Sequence, residues 1–137
     1  MNIFFTAAIR GGREHQRNYQ TIVSLLKTHG TVFSDHVAND MPRHGETAIS
    51  VEEVHARELE RMEKSDVIVA DVTTPSLGVG YLVGQASRLG KKILCLHYGD
   101  DDYRVSGMIS GNTNLTLRMY HDDASLAAVL EEYFITK

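Results

Sequence analysis

The sequence predicts one α/β domain spanning residues 1–137, built as a doubly wound, five-stranded parallel sheet with helices on both faces. Short β-branched or aromatic runs alternate with longer stretches of helical periodicity along the chain. Two strand–turn–helix junctions carry glycine-bearing turns, one over Asn2 to Arg13 and one over Asp66 to Tyr81. In open parallel sheets such turns gather at the carboxyl edge, where ligands bind. A chain of 137 residues suits a single domain.

Each element has a local reason. Strand 1 is the apolar run Ile3 to Thr6. Helix 1 runs from about Glu14 to His29, with Tyr19, Ile22, Val23 and Leu26 on one face and Gly30 as its stop. Strand 2 is Thr31 to Ser34. A long polar connection follows, Asp35 to Ser50, of a length that is often functional. Ser50-Val-Glu-Glu53 is a capping box, so helix 2 begins there and continues to about Lys64. Strand 3 is Asp66 to Asp71, and helix 3 spans about Gly78 to Leu89 before Gly90. Strand 4 is Lys92 to His97. Gly99 to Asn114 is a second long connection with a helical piece near Val105 to Ile109. Strand 5 is Leu115 to Tyr120. The last helix starts after Asp122 or Asp123 and carries the stripe Leu126, Val129, Leu130, Tyr133, Phe134. Five such strands favour the flavodoxin-like order 2-1-3-4-5. That order sets the turns Ala7–Arg13 and Val72–Gly78 side by side.

The totals exclude several classes. A net charge of −4 and a pI near 5.9 argue against broad nucleic-acid binding, which needs a basic face. No apolar run approaches the roughly 18 residues of a membrane span. The first strand begins without a charged region and cleavage site, so a cytoplasmic protein is expected. The single cysteine, Cys95, lies in the apolar run Ile93-Leu-Cys-Leu96 and reads as a buried, inert thiol.

Several residues carry candidate chemistry. Arg10-Gly11-Gly12-Arg13 reads either as a phosphate-binding turn or as a tight turn with two solvated arginines. Ser76 reads as a helix cap or as a hydroxyl offered to an anion at the start of helix 3. Gly78, Gly80 and Gly84 are unusual inside a helix, where glycine costs about 1 kcal/mol relative to alanine. They imply close approach of a ligand or backbone, or simple packing on the sheet. His55 and Glu58 share a face of helix 2 at i and i+3, as a solvated face or a weak metal pair. The seven histidines show no metal-ligand spacing, so neither metal nor cofactor is expected. His36, just past strand 2, reads by default as a surface histidine but is placed for a pocket.

Taken together, Ile9-Arg-Gly-Gly-Arg-Glu14, Asp35-His-Val-Ala38, Val72-Thr-Thr-Pro-Ser-Leu-Gly-Val-Gly-Tyr81 and Arg104-Val-Ser-Gly-Met-Ile109 carry a signature. They resemble the 2′-deoxynucleoside 5′-monophosphate N-hydrolases of the nucleoside 2-deoxyribosyltransferase-like superfamily, over nearly the whole chain. Such enzymes cleave the N-glycosidic bond to a free base and a sugar phosphate through a glutamate nucleophile, with the logic of retaining glycosidases. The resemblance implies that Ile9, Arg10, Gly11, Ser76 and Gly78 surround the 5′-phosphate. It implies that Ser106 reaches that phosphate from the neighbouring subunit of a homodimer, and that His36 lies near the base.

The chain also departs from the pattern. The nucleophilic glutamate position holds Leu82, and the assisting tyrosine of strand 1 is matched by Phe4. A helix 2 aspartate is matched by Glu58, and Gly-Ser before Ile-Arg reads Ala7-Ala8. The implied function is a nucleoside 5′-monophosphate-binding protein with weak or altered N-glycosidase activity resting on Glu58. The alternative is a non-catalytic nucleotide sensor or scaffold on the same fold.

Overall fold

A computed structural model describes residues 1–9, 15–39, 47–100 and 104–135. The chain runs β1 (Asn2–Thr6), α1 (Gln16–Leu26), β2 (Thr31–Phe33), a 3-10 turn (Asp35–Ala38), α2 (Val51–Lys64), β3 (Val67–Asp71), α3 (Leu77–Arg88), β4 (Lys92–Tyr98), α4 (Gly107–Ser110), β5 (Thr116–Tyr120) and α5 (Asp123–Ile135). The five strands form one sheet in the order β2-β1-β3-β4-β5, all pairs parallel, which is the arrangement expected. Among the described residues no helix is long and apolar enough to cross a membrane.

The period-two alternation of the strands divides the core between two faces. Ile3, Phe5, Val67, Val69, Leu94 and Leu96 pack with Tyr19, Ile22 and Leu26 of α1 and Leu126 and Leu130 of α5. Phe4, Ile68, Ala70, Ile93 and Cys95 pack on the other face with Met62 of α2 and Val79, Val83 and Ala86 of α3. Each large side chain fully buried here contributes about 1.5–3 kcal/mol. Cys95 is buried, and desolvation pushes its thiol up to about 12, so it is not a nucleophile.

Some boundaries differ from expectation for identifiable reasons. α1 stops at Leu26 rather than His29, because Thr28 and His29 donate to Leu25 and Leu26 and tighten the last turn. Gly30 serves less as a helix stop than as a close approach: any Cβ there would collide with the Met1 carbonyl, to which Thr31 N donates at 2.9 Å. β2 ends at Phe33 because Ser34 turns left-handed, with φ 62°. α2 carries both halves of its capping box, Glu53 N to Ser50 Oγ at 3.1 Å and Ser50 N to Glu53 Oε1 at 3.2 Å. The short helix after β4 lies at Gly107–Ser110, two residues later than expected at its start, with Ser106 as its cap.

The carboxyl end of β3 is held from two sides. Asp71 is fully buried. Its Oδ2 accepts from Tyr120 Oη at 2.7 Å and its Oδ1 from Thr73 N at 2.9 Å. Thr73 Oγ1 in turn accepts from Tyr98 N at 2.9 Å. The turn leading into α3 is therefore tied to β4 and β5. Burial pushes the Asp71 carboxyl above its ordinary value, and the hydrogen bonds from Thr73 and Tyr120 offset this only in part.

A raised native value means that the folded protein keeps this proton where the unfolded chain has lost it. The corresponding stability is present below the ordinary carboxylate value and is lost as pH rises through the native one. Asp71→Asn is expected to flatten that dependence. Urea unfolding followed from about pH 4 to about pH 7 should show the wild type losing ground against the variant. Tyr120→Phe, which strips a donor from a buried carboxyl, is expected to cost about 1–3 kcal/mol.

Candidate functional site

A cleft of about 620 Å³ opens at the carboxyl end of β1, between α2 and α3. That volume lies within the range of roughly 300–1,000 Å³ usual for small-ligand sites. Thr6, Ala7 and Ile9 line it from β1 and its following turn. His36 and Val37 line it from the 3-10 turn, His55, Arg57 and Glu58 from α2, and Ser76, Leu77, Gly78, Val79 and Leu82 from α3.

The start of α3 is prepared for an anion. Ser76 is the N-cap, and its Oγ accepts from Val79 N at 3.3 Å. Capping leaves the Ser76 hydroxyl proton available to donate. The N–H groups of Leu77 and Gly78 have no acceptor among the described residues. The helix is 12 residues long, so its dipole adds to these free donors. A Cβ at Gly78 would meet only Ser76 Oγ, at 3.9 Å, so a side chain there would crowd the approach rather than the fold.

Glu58 is held by one oxygen. Its Oε2 accepts from Ser34 Oγ at 3.0 Å and from Arg57 Nε at 3.1 Å, and Arg61 Nη1 lies 3.6 Å away. Arg61 Nη1 also donates to Ser34 Oγ at 3.3 Å. Among the described residues Oε1 makes no hydrogen bond. The side chain is 13% exposed, so this carboxylate is partly withdrawn from solvent, fixed in place, and left with one unengaged oxygen. The left-handed Ser34 belongs to this arrangement: a conformation costing roughly 1–2 kcal/mol for a non-glycine residue places its hydroxyl on Glu58. His36 Nε2 stands 3.3 Å from Arg57 Nη2 on the same side of the cleft.

The cleft thus gathers Ile9, His36, Glu58, Ser76, Gly78 and Leu82 from the candidates read in the sequence. Arg10 and Gly11 lie outside the described residues. Phe4 does not line the cleft: it is fully buried on the face below Thr6, against Met62 and Ile68, because the inward side of β1 closes over it. Ser106 lies across α3 in a second, largely apolar cleft of about 710 Å³, shared with Leu77, Gly80, Tyr81, Gly84 and Met108. Its Oγ accepts from Met108 N at 3.2 Å. Gly80 and Gly84 do not serve packing on the sheet, since a Cβ at either meets nothing within 4 Å. Among the described residues no group of three or more His, Cys, Asp and Glu side chains is arranged to hold a metal.

Sequence reading missed Ser34, Arg57 and Arg61. A signal existed for Arg61, which sits at i+3 from Glu58 on a helix, but not for its sequence neighbour Arg57. None existed for Ser34, whose role depends on a backbone conformation. The His55–Tyr81 contact was missed as well: His55 Nε2 and Tyr81 Oη share a hydrogen bond of 2.9 Å between α2 and α3.

Comparison with known proteins places the chain in a family. The sequence profile of the nucleoside 2-deoxyribosyltransferase family matches residues 3–124. The 5-hydroxymethyl-dUMP N-hydrolase of Danio rerio is 42% identical over 139 aligned positions, covering 99% of this chain and 97% of that protein. Its counterpart from Esox lucius is 40% identical, covering 98% of this chain and 96% of that protein. Among solved structures, a CMP N-glycosidase of Clostridium botulinum superposes with a TM-score of 0.68 at 20% identity, covering 96% of this chain and 98% of that chain, and so shares the fold. On these matches the chain belongs to the nucleoside 2-deoxyribosyltransferase family and, within it, to the 2′-deoxynucleoside 5′-phosphate N-hydrolases.

Proposed function

We propose that this protein binds a nucleoside 5′-monophosphate in the α2–α3 cleft and acts on its N-glycosidic bond weakly, through Glu58 and water. The observation that carries the reading is the meeting, in one cleft, of a helix start whose N–H groups, and a carboxylate whose second oxygen, have no partner among the described residues. The first suits a phosphate. The second suits activation of water. Leu82 on the α3 wall has no oxygen with which to attack C1′. In the proposed step, water oxygen bonds to C1′ as the C1′–N bond breaks. Glu58 takes the water proton, and the base leaves with the bonding electrons and is protonated. A second reading, a nucleotide sensor without turnover, is favoured by Leu82 and by the hydroxyl-free Phe4, both positions where the family resemblance expects reacting groups. The names of the relatives place a deoxyuridylate-type or cytidylate nucleotide among the ligands to try first.

We also infer that the working unit is a homodimer. Leu77 and Met108 are 96% and 85% exposed beside the 710 Å³ cleft, and Gly80 and Gly84 leave α3 bare there. A second copy covering this face would bring its Ser106 towards the start of α3.

Phosphate is expected to dominate affinity. Calorimetry should show nucleoside 5′-monophosphates binding far more tightly than nucleosides, with Arg10→Ala erasing most of the difference, because each charge-assisted bond is worth about 1.5–3 kcal/mol. Equal affinity for the two ligand classes would refute the phosphate site. Sedimentation should show a dimer at micromolar concentration, and Ser106→Ala should weaken nucleotide binding without dissociating it. A monomer would contradict the composite site. Base release from 5-hydroxymethyl-dUMP and CMP should be slow, should fall further in Glu58→Gln, and should rise in Leu82→Glu. Loss of an essential nucleophile usually removes several orders of magnitude. Turnover at an ordinary enzymatic rate that Glu58→Gln leaves untouched would place the chemistry elsewhere.

A further inference from the structure

Glu58 accounts for only half of the proton traffic. A base that leaves with the bonding electrons needs a proton, and a group that supplies it in the transition state accelerates departure. The side chain best placed for this is His55. It lies one helical turn from Glu58, on the same face of α2, and lines the same cleft. Its Nε2 shares a hydrogen bond of 2.9 Å with Tyr81 Oη, and the two rings stand 5.6 Å apart, tilted by 47°. Among the described residues Nδ1 has no partner. Two helices thus fix one nitrogen of the imidazole and leave the other unengaged, just as Glu58 has one anchored oxygen and one free. Among the cleft's other polar groups, His36 Nε2 is engaged by Arg57 Nη2 at 3.3 Å, and the Thr6 hydroxyl is too weak an acid to protonate a departing base. Arg57 contacts Glu58 and His36, and an arginine does not give up its proton. Ser76 caps α3 at the phosphate end.

We propose that His55 is a catalytic residue that donates its Nδ1 proton to the departing base, with Tyr81 as the positioning residue that orients the ring. The proposal rests on the N-glycosidase reading above. The step balances: the C1′–N electrons go to the base, the His55 proton neutralises it, and Glu58 holds the proton taken from water. Exchange with solvent then moves one proton from Glu58 to His55 and restores both groups.

The test compares two substrates, CMP and 4-nitrophenyl 2-deoxyriboside 5-phosphate, whose nitrophenolate departs as a stable anion and needs no proton. For His55→Gln, base release from CMP is expected to fall by about 10²-fold or more, while nitrophenolate release changes by less than about tenfold. Tyr81→Phe should fall between, losing rate on CMP with little change in KM. The His55 ring nitrogens of the wild type should shift in nitrogen-15 spectra when CMP is added. Both variants alter exposed side chains, and thermal unfolding confirms their folding. Equal losses on the two substrates, or none on either, would overturn the role of His55 and leave the N-glycosidase reading intact. Nitrophenolate release without any CMP cleavage in the wild type would also overturn the donor. Absence of release from both substrates, with CMP still bound, would overturn both readings in favour of the sensor.

Discussion

The candidate site depends on a buried carboxylate that does not line it. Asp71 ends the central strand β3, where the chain must turn through Val72 to Pro75 before α3 begins. A proline, two threonines and a serine do not hold one conformation on their own. The Asp71 carboxyl accepts from Thr73 on one oxygen and from Tyr120 on the other, and Thr73 accepts from Tyr98. The turn is thereby tied to the next two strands of the sheet, β4 and β5. The cost is a buried acid, which is why its proton is held beyond the ordinary carboxylate value. What this secures is the position of Ser76 and of the free N–H groups behind it.

The second constraint is the bend after β2. Ser34 takes a left-handed conformation, and its hydroxyl reaches a carboxylate 24 residues ahead. Arg57 and Arg61 hold the same oxygen from α2 itself. These contacts compensate the strain and fix which carboxylate oxygen faces the cleft. A longer, looser glutamate without them would sweep several positions. An aspartate in its place would reach less far, so the extra methylene and the anchoring serine belong together.

The fold was legible because its signals are local and periodic. Alternation in β1 and β4, the helical stripe of α1 and the Ser50–Glu53 capping box each report an element without reference to the rest. Five such elements in βα alternation leave few topologies, and the observed strand order is the common one. Where the reading slipped, the cause was tertiary. Gly30 resembles a helix stop, but its need is the nearby Met1 carbonyl. Gly80 and Gly84 resemble packing glycines, yet they face open space. The candidate site was legible in part: Ser76, Gly78, Glu58 and His36, each singled out from the sequence, line one cleft. Phe4 was matched by position along its strand, and position alone does not say that its ring lies beneath the cleft lining. The His55–Tyr81 contact joins residues 26 apart, and no periodicity links them.

Binding and chemistry are encoded differently in this cleft, and that difference bears on how the two are inherited. The part of the proposed anion site that lies at the start of α3 is made of backbone N–H groups, which every sequence retains provided the turn and the cap survive. A substitution elsewhere on the helix leaves them untouched. Bond cleavage depends on side-chain oxygens and nitrogens at particular positions, and one residue can remove it. In the proposed reading, with Leu82 on the wall, the oxygen comes to C1′ from water, and its protons are handled by the carboxylate and imidazole that α2 brings to the cleft. α2 presents Glu58 and His55 one turn apart, each anchored on one atom and open on the other. On the proposed reading, a fold with phosphate donors in its backbone and proton carriers on a neighbouring helix can lose a nucleophile and still hold a nucleotide against an acid and a base.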